Sequence, residues 1–289
     1  MTLVIKAPAK INSFLRVIAK EDSGYHQIES LLTAVNLYDE IRLTPNEGGI
    51  SLKVIGADIG PIEDNLVYKA ATTFFAKNDI TGGVDLTLRK VIPTKAGLGG
   101  GSSDAGATIR ALNLIFDQPY SSSDLIEIAC ELGSDVPFFA SGFGTALAWG
   151  RGERLIPMEM QSYVLLALTS IPIETKWAYH SLGVSNRTNS EPVMPENIGN
   201  LNLSNLQFGN HFEPKIFKQF PKLKKLHKEI MEVGASVARL SGSGGSLFGL
   251  FPQEKQTHKA RDELAKSWPD VRFLAVQTLG CQPDPDVLI

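Results

Sequence analysis

An α+β fold in two domains is what the sequence predicts, and three observations predict it. The chain has 289 residues, near the length at which a single hydrophobic core stops growing and divides. Residues 93–108, PTKAGLGGGSSDAGAT, set five glycines and two serines between a strand pattern and a helix pattern. Around residues 155–165 the character changes, and the C-terminal part then alternates strand and helix signals, as helices laid on a small sheet would.

Taken in order, residues 2–7 and 12–19 read as short strands flanking Pro8-Ala9-Lys10. Glu29–Leu43 alternates enough for strand with a turn, and Ile50–Ile55 is a further strand. Asp64 or Asn65 can cap a helix through Phe75 that carries Leu66, Ala70 and Phe74 on one side. Val84, Leu86 and Leu88 alternate with polar residues as a strand with one buried face. After the glycines, Ala105, Ile109, Leu112 and Phe116 recur at helical spacing. Ser121–Leu132 is a second helix, with Ser122 or Ser123 as its cap, Gly133 as its stop and Cys130 in its core face. Gly144–Ala148 is a strand running toward the turn at 150–153, and Tyr163–Leu168 is a continuous apolar strand that can open the second domain. Ser181–Gly209, rich in Asn, Ser and Pro, reads as a surface excursion. Helices follow at about 214–232, interrupted by Pro221, and at 253–267, with strands near Ala238, Ser246–Phe251 and Val271–Gln277.

Composition excludes more than it assigns. A net charge of -3, with 43% hydrophobic residues, recruits neither nucleic acid nor an anionic membrane. The basic stretch 215–228 also carries Phe217, Phe220, Leu223 and Leu226 at helical spacing, so it reads as a solvated helix face. Two cysteines suit a reducing cytoplasm, and neither a signal peptide nor an apolar run of 18 residues is present. The five histidines show no metal-ligand spacing.

A glycine loop that opens a helix leaves backbone N–H groups unpaired and aligned with the positive end of the helix dipole, which seats phosphate. The loop closes Gly101-Ser102-Ser103-Asp104 rather than Gly-Lys-Ser/Thr, and its glycines miss the dinucleotide spacing. Ser102 and Ser103 can cap the helix, hold magnesium or donate to a phosphate oxygen. The bland alternative is a tight turn with a serine cap. Lys10 is either a surface lysine or a counter-charge for a transferring phosphoryl group. Asn12 lies two residues on, on the same side of an extended chain. Asp135, before Val136-Pro137-Phe138-Phe139, either caps a helix or manages a hydroxyl proton. Tyr25-His26 either stacks on and reads a planar base or simply packs at a hairpin. The second glycine stretch, with Gly242, Ser243 and Gly244, offers N–H groups to phosphate or is a tight connection.

Together these segments resemble the GHMP kinases, the galactokinase, homoserine kinase, mevalonate kinase and phosphomevalonate kinase superfamily. The motifs are Ala7-Pro8-Ala9-Lys10-Ile11-Asn12, Gly24-Tyr25-His26, Glu63-Asp64-Asn65-Leu66, the run Gly97–Asp104, and the run Leu132–Phe139. The likeness spans most of residues 5–155 and returns at 240–249. It implies a two-domain GHMP kinase fold. Residues 1–155 would form a mixed α/β domain like domain 2 of ribosomal protein S5, and residues 156–289 a ferredoxin-like sandwich, with the active site in the cleft between them. It further implies ATP as phosphoryl donor with Mg2+, and as acceptor an alcohol linked to cytidine diphosphate on the non-mevalonate route to isoprenoid precursors. By position, Lys10 and Asp135 match the catalytic pair, and Asn12, Tyr25, His26 and Thr175 the substrate side. Asn65, Lys95, Ala96, Gly97, Leu98, Gly99, Gly100, Gly101, Ser102 and Ser103 match the ATP side. A cytoplasmic monomer or weak homodimer is expected, with no nucleic-acid or membrane partner.

Two positions depart from the pattern. Lys95-Ala96 stands where the family has Gly-Ala or Gly-Gly, and Gly106 stands where alanine is usual, an expected cost of roughly 1 kcal/mol in an exposed helix. Rival readings are a kinase of another small alcohol, an idle nucleotide-binding module and, weakest, a dehydrogenase. Tyr25-His26 speaks against the first, Lys10 with Asp135 against the second, and the glycine spacing against the third.

Overall fold

A computed structural model describes residues 1–58, 60–77, 80–184, 186–187 and 209–288. Its spine is an antiparallel ribbon of two long strands, β1 (Thr2–Glu21) and β2 (His26–Asn46). Neighbouring strands attach along it at different levels. β4 (Gly83–Arg89) pairs with the far end of β2, and β3 (Ile50–Ile55) lies parallel to β4. β5 (Thr145–Gly150) pairs with the near end of β2 and carries β6 (Arg154–Met158). Beside β1 lie the two-residue β8 (Asn186–Arg187) and the C-terminal β12 (Asp286–Leu288), so the chain returns to its first sheet at its end. Helices α1 (Leu66–Lys77), α2 (Gly100–Ile115), α3 (Ser122–Leu132) and the one-turn α4 (Val136–Ala140) bury their apolar faces in one core with Leu3, Ile5, Ile41, Leu86 and Leu88.

The second sheet is antiparallel throughout, in the order β11 (Arg272–Gln277), β7 (Tyr163–Leu168), β10 (Leu247–Phe251), β9 (Val237–Leu240). α5 (Thr175–Leu182), α6 (Glu213–Gln219) and α7 (Pro221–Glu232) come between β7 and β9, and α8 (Glu254–Ser267) between β10 and β11. Their buried residues, among them Ile216, Leu223, Leu226 and Leu264, form a second core with Leu165 and Phe273. A third cluster joins the sheets. It packs Ala9, Ile11 and Val35 of the ribbon against Val164, Leu166 and Phe248, with Ile92, Ala96 and Leu98 of the glycine loop between them.

Several expectations are corrected. The two short strands at 2–7 and 12–19 are one strand, because register shifts at Pro8/Ala9 and Asn12/Phe14 absorb the proline without ending the ladder. Likewise β2 runs through 29–43 without a turn. The cap of α3 is Ser121, in a reciprocal box with Asp124, not Ser122 or Ser123. Cys130 is exposed rather than core. Elements without a sequence expectation are α5, β6, β8 and β12, all five residues or fewer except α5. Pro221 does divide the predicted helix at 214–232, since it cannot donate and starts α7 instead. Of the excursion at 181–209, residues 185 and 188–208 lie outside the described residues.

Candidate active site

The phosphate loop descends from β4 to α2 through a backbone that reverses hand repeatedly. Lys95, Gly97 and Gly99 have φ of 58°, 79° and 68°. Gly97 is required twice over: a Cβ there would lie 2.1 Å from the Ser241 carbonyl oxygen. The α2 N-cap is Gly99, with no side-chain cap, which corrects the reading of Ser102 or Ser103 as the cap. Both serines stand inside the helix, and the buried Ser103 hydroxyl has no partner among the described residues. The first-turn N–H groups of α2 therefore keep their capacity for an anion. The loop borders a cavity of about 370 Å³ together with Asn65, Leu66 and Lys90. Lys95 lies exposed on its rim, Ala96 and Leu98 turn into the third core, and Gly100, Gly101 and Ser102 line the wall. Asn65 caps α1 by accepting from Val67 N at 2.8 Å, while its buried Nδ2 has no partner among the described residues and borders the cavity.

Behind the loop sits a group the sequence reading missed. Lys90 Nζ donates to Asp39 at 2.5 Å and to Asp104 at 2.7 Å, and all three side chains are at most 5% exposed. Asp39 also accepts from the N–H groups of Val91 and Ile92, so it fixes the start of the loop. Burial pushes the Asp104 carboxyl up to about 8, against the opposing pull of Lys90, and Asp39 reinforces the rise. Asp39 lies 65 residues upstream of Asp104; the pairing of β2 with β4 brings Lys90 beside it, and the packing of α2 on the ribbon brings Asp104.

Lys10 and Asn12 project from β1 on one face, and Lys10 Nζ donates to Asn12 Oδ1 at 2.5 Å. Asn12 in turn donates to Ser30 Oγ at 2.8 Å. The Lys10 stem packs on Gly99, where a Cβ would come within 3.0 Å of it, and its N–H donates to the Leu98 carbonyl. Asp135 Oδ2 lies 3.5 Å from Lys10 Nζ, and the Asp135 side chain is 31% exposed. It heads α4 without a side-chain cap bond, so the capping alternative is not realised and the carboxylate faces the lysine. Gly242 stands over Lys10 and Asn12: a Cβ there would lie 3.3 Å from Asn12 Oδ1 and 3.5 Å from Lys10 Nζ. Gly244 packs against Gly97, and Ser241 Oγ donates to the Gly97 carbonyl at 2.9 Å, so the two glycine loops meet backbone to backbone. Ser243 Oγ donates to Thr175 Oγ1 at 3.2 Å, which brings the first residue of α5 to the same rim.

Tyr25 and His26 end the β1–β2 turn and border different cavities. Tyr25, 54% exposed, lines a space of about 270 Å³ with Glu21 and Arg151 and with Gly133, Ser134 and Pro137 of the loop that carries Asp135. His26 borders a larger space of about 790 Å³ with Trp177 and Tyr179, its ring 4.6 Å from that of Tyr179. Burial, aided by Lys20, lowers the His26 pKa, so the imidazole is neutral at pH 7 and can both donate and accept. Tyr179 was also missed by the sequence reading; its ring stands against those of His26 and Phe212, and burial, with the charge of Asp135 adding to it, raises its pKa.

The pattern described as "GHMP kinases N terminal domain" matches residues 65–143, and "GHMP kinases C terminal" matches residues 195–270. The chain belongs to the GHMP kinase superfamily and is an ATP-dependent small-molecule kinase with that superfamily's two-domain α+β fold. Among its relatives, the 4-diphosphocytidyl-2-C-methyl-D-erythritol kinase of Pelotomaculum thermopropionicum is 39% identical over 257 residues, covering 86% of this chain and 89% of the relative. The protein of the same name from Brevibacillus brevis is 36% identical over 289 residues, covering 98% of each chain. A solved crystal structure of a 4-(cytidine 5'-diphospho)-2C-methyl-D-erythritol kinase superposes with a TM-score of 0.78 at 29% identity, covering 96% of this chain and 100% of that one.

Proposed function

We propose that this kinase transfers the γ-phosphoryl group of ATP to the 2-hydroxyl of 4-diphosphocytidyl-2-C-methyl-D-erythritol, in isoprenoid precursor synthesis. The observation that carries the reading is the Lys10–Asp135 pair, 3.5 Å apart where the two glycine loops meet. The acceptor oxygen bonds to the γ-phosphorus as the bond from phosphorus to the β,γ-bridging oxygen breaks. ADP leaves and the hydroxyl proton passes to Asp135. Lys10 counters the charge that develops on the transferring group, and Asn12 holds its ammonium in place. The N–H groups of 97–103 bind the phosphates, Asn65 Nδ2 donates into the nucleotide cavity, and Lys95 adds charge at the rim. Gly242, Ser243 and Gly244 close over the phosphates from the second sheet. Tyr25 offers an exposed ring face to the cytosine, His26 reads its edge, and Thr175 contacts the acceptor.

The cavity wall presents oxygens, including the Ser102 hydroxyl, and neither His nor Cys, which suits a hard cation. Mg2+ would be held by the triphosphate and water, with the Ser102 or Ser103 hydroxyl completing its shell. When bound, it neutralises phosphate charge. We place the domain division near residue 155, with S5-like and ferredoxin-like halves, and assign the chain to the cytoplasm as a monomer or weak homodimer. The antiparallel order β11-β7-β10-β9 supports the ferredoxin-like half, and the two free cysteines support the cytoplasmic assignment.

Incubation with ATP, Mg2+ and the cytidylyl acceptor, followed by phosphorus NMR, tests the assignment, with mevalonate, homoserine and galactose as competing acceptors. A new phosphomonoester signal on the cytidylyl compound alone supports it. Transfer to another acceptor, or none despite ATP binding, overturns it.

A further inference from the structure

Tyr25 is more than half exposed at the tip of a turn, and such a ring would ordinarily sample several orientations. Here a guanidinium covers it. Arg151 Cζ lies 4.8 Å from the centroid of the Tyr25 ring. Arg151 comes from the turn between β5 and β6, 126 residues further along the chain than Tyr25. Its own direction is fixed from below: Nε and Nη2 donate to Glu21 Oε2 at 2.9 and 2.6 Å. Glu21 is 3% exposed, and Ser23 Oγ and Gln27 Nε2 also donate to its carboxylate, at 3.0 and 3.3 Å. The same residue closes the turn, since Glu21 N donates to the Tyr25 carbonyl at 2.8 Å. Nor is the Arg151 turn loose. Gly150 and Gly152 have φ of 72° and 116°, Arg151 N donates to Glu153 at 2.7 Å, and a Cβ on Gly152 would meet the Ser134 carbonyl oxygen at 2.6 Å. Tyr25 and the loop that carries Asp135 are thus clamped to one turn.

We propose that Arg151, locked by Glu21, is a positioning residue for acceptor binding: it holds one face of the Tyr25 ring so that the opposite face is presented, pre-oriented, to the base of a cytidylyl substrate. The proposal rests on the assignment of a cytidine-containing acceptor. A planar cation against a tyrosine ring is attracted by the ring's quadrupole, and a ring already immobilised loses less freedom when a base stacks on it. The effect belongs to substrate binding and not to phosphoryl transfer, because Arg151 donates to Glu21 while Lys10 and Asp135 form their own pair.

Steady-state kinetics of R151Q, E21Q, Y25A and the double variants E21Q/R151Q and R151Q/Y25A test this, alongside calorimetric titration of cytidine 5'-monophosphate. Removing Arg151 alone leaves Glu21 buried without its cation, so the neutral pair E21Q/R151Q provides a variant without that penalty. R151Q and E21Q/R151Q are expected to raise the acceptor KM and the nucleotide Kd about tenfold, with kcat and the KM for ATP within about twofold of the parent. In the Y25A background R151Q is expected to add nothing, since Arg151 acts through that ring. Additive losses in R151Q/Y25A would assign Arg151 a direct substrate contact and overturn the proposal, as would an unchanged acceptor KM or a fall in kcat alone. A parent enzyme that phosphorylates only an acceptor without cytidine would overturn the functional assignment. Weaker cytidine 5'-monophosphate binding by R151Q would still stand as a separate readout of the clamp, and equal binding would overturn it.

Discussion

Lys10 and Asp135 lie 125 residues apart in sequence and 3.5 Å apart in space, and neither residue type at its position would identify a kinase alone. Asp135→Asn keeps the shape and removes the proton acceptor. Turnover is expected to fall on the order of 10²–10⁴-fold while ATP affinity is nearly unchanged, measurable by kinetics and equilibrium binding. Normal turnover would remove Asp135 from its role. Asp104 makes a prediction of a different kind. Its carboxyl is pushed up to about 8 in the folded chain from an ordinary 3.8, so the folded state holds a proton that the unfolded state releases across that window. With more protons bound by the folded form, stability falls as pH rises from about 4 to about 8. Asp104→Asn removes this titration and is expected to flatten the urea midpoint between pH 5 and pH 8. An unaltered pH slope would show that the carboxyl titrates elsewhere.

Among the elements, α2 shows how packing overrides propensity. Gly106 stood out in sequence as a weak helix residue, yet it is buried, and a Cβ there would come within 2.5 Å of Phe139 Cβ and 2.7 Å of the Ala140 nitrogen. The glycine lets α4 approach α2 closely and so sets the height of Asp135 above the phosphate loop. Gly106→Ala is therefore expected to destabilise by roughly 1–3 kcal/mol, not to stabilise, as read from denaturant midpoints. A gain in stability would mean that α4 shifts freely. The strands and longer helices were legible because their apolar residues repeat at two or at three to four residues. β6 and β12 were not, since an element of five residues or three is too short to show a period.

In the whole molecule the candidate site belongs to both sheets. The loop of 93–102 is held from below by the ribbon and from above by Ser241–Gly244, and the cluster around Ile11, Leu98 and Phe248 fills the seam with apolar side chains. Such a seam couples the two parts. Thermal unfolding is expected to show one transition with coincident fluorescence and circular dichroism, and a saturating ATP analogue is expected to raise its midpoint by a few degrees, about 2.7 kcal/mol at a hundredfold excess over Kd. Two separated transitions would show that the halves melt independently.

The sequence by itself determined the order of most strands and helices, the phosphate-binding character of the glycine loop and the residues most suited to chemistry, because these depend on local period, backbone freedom and side-chain type. Only the tertiary structure decided that the two glycine loops touch, that Asp39 and Lys90 brace Asp104, that Tyr179 packs against His26, and that Arg151 faces Tyr25. Each of those is a contact between segments far apart in the chain, set by strand pairing and by the packing of one sheet on the other, and no local pattern encodes it.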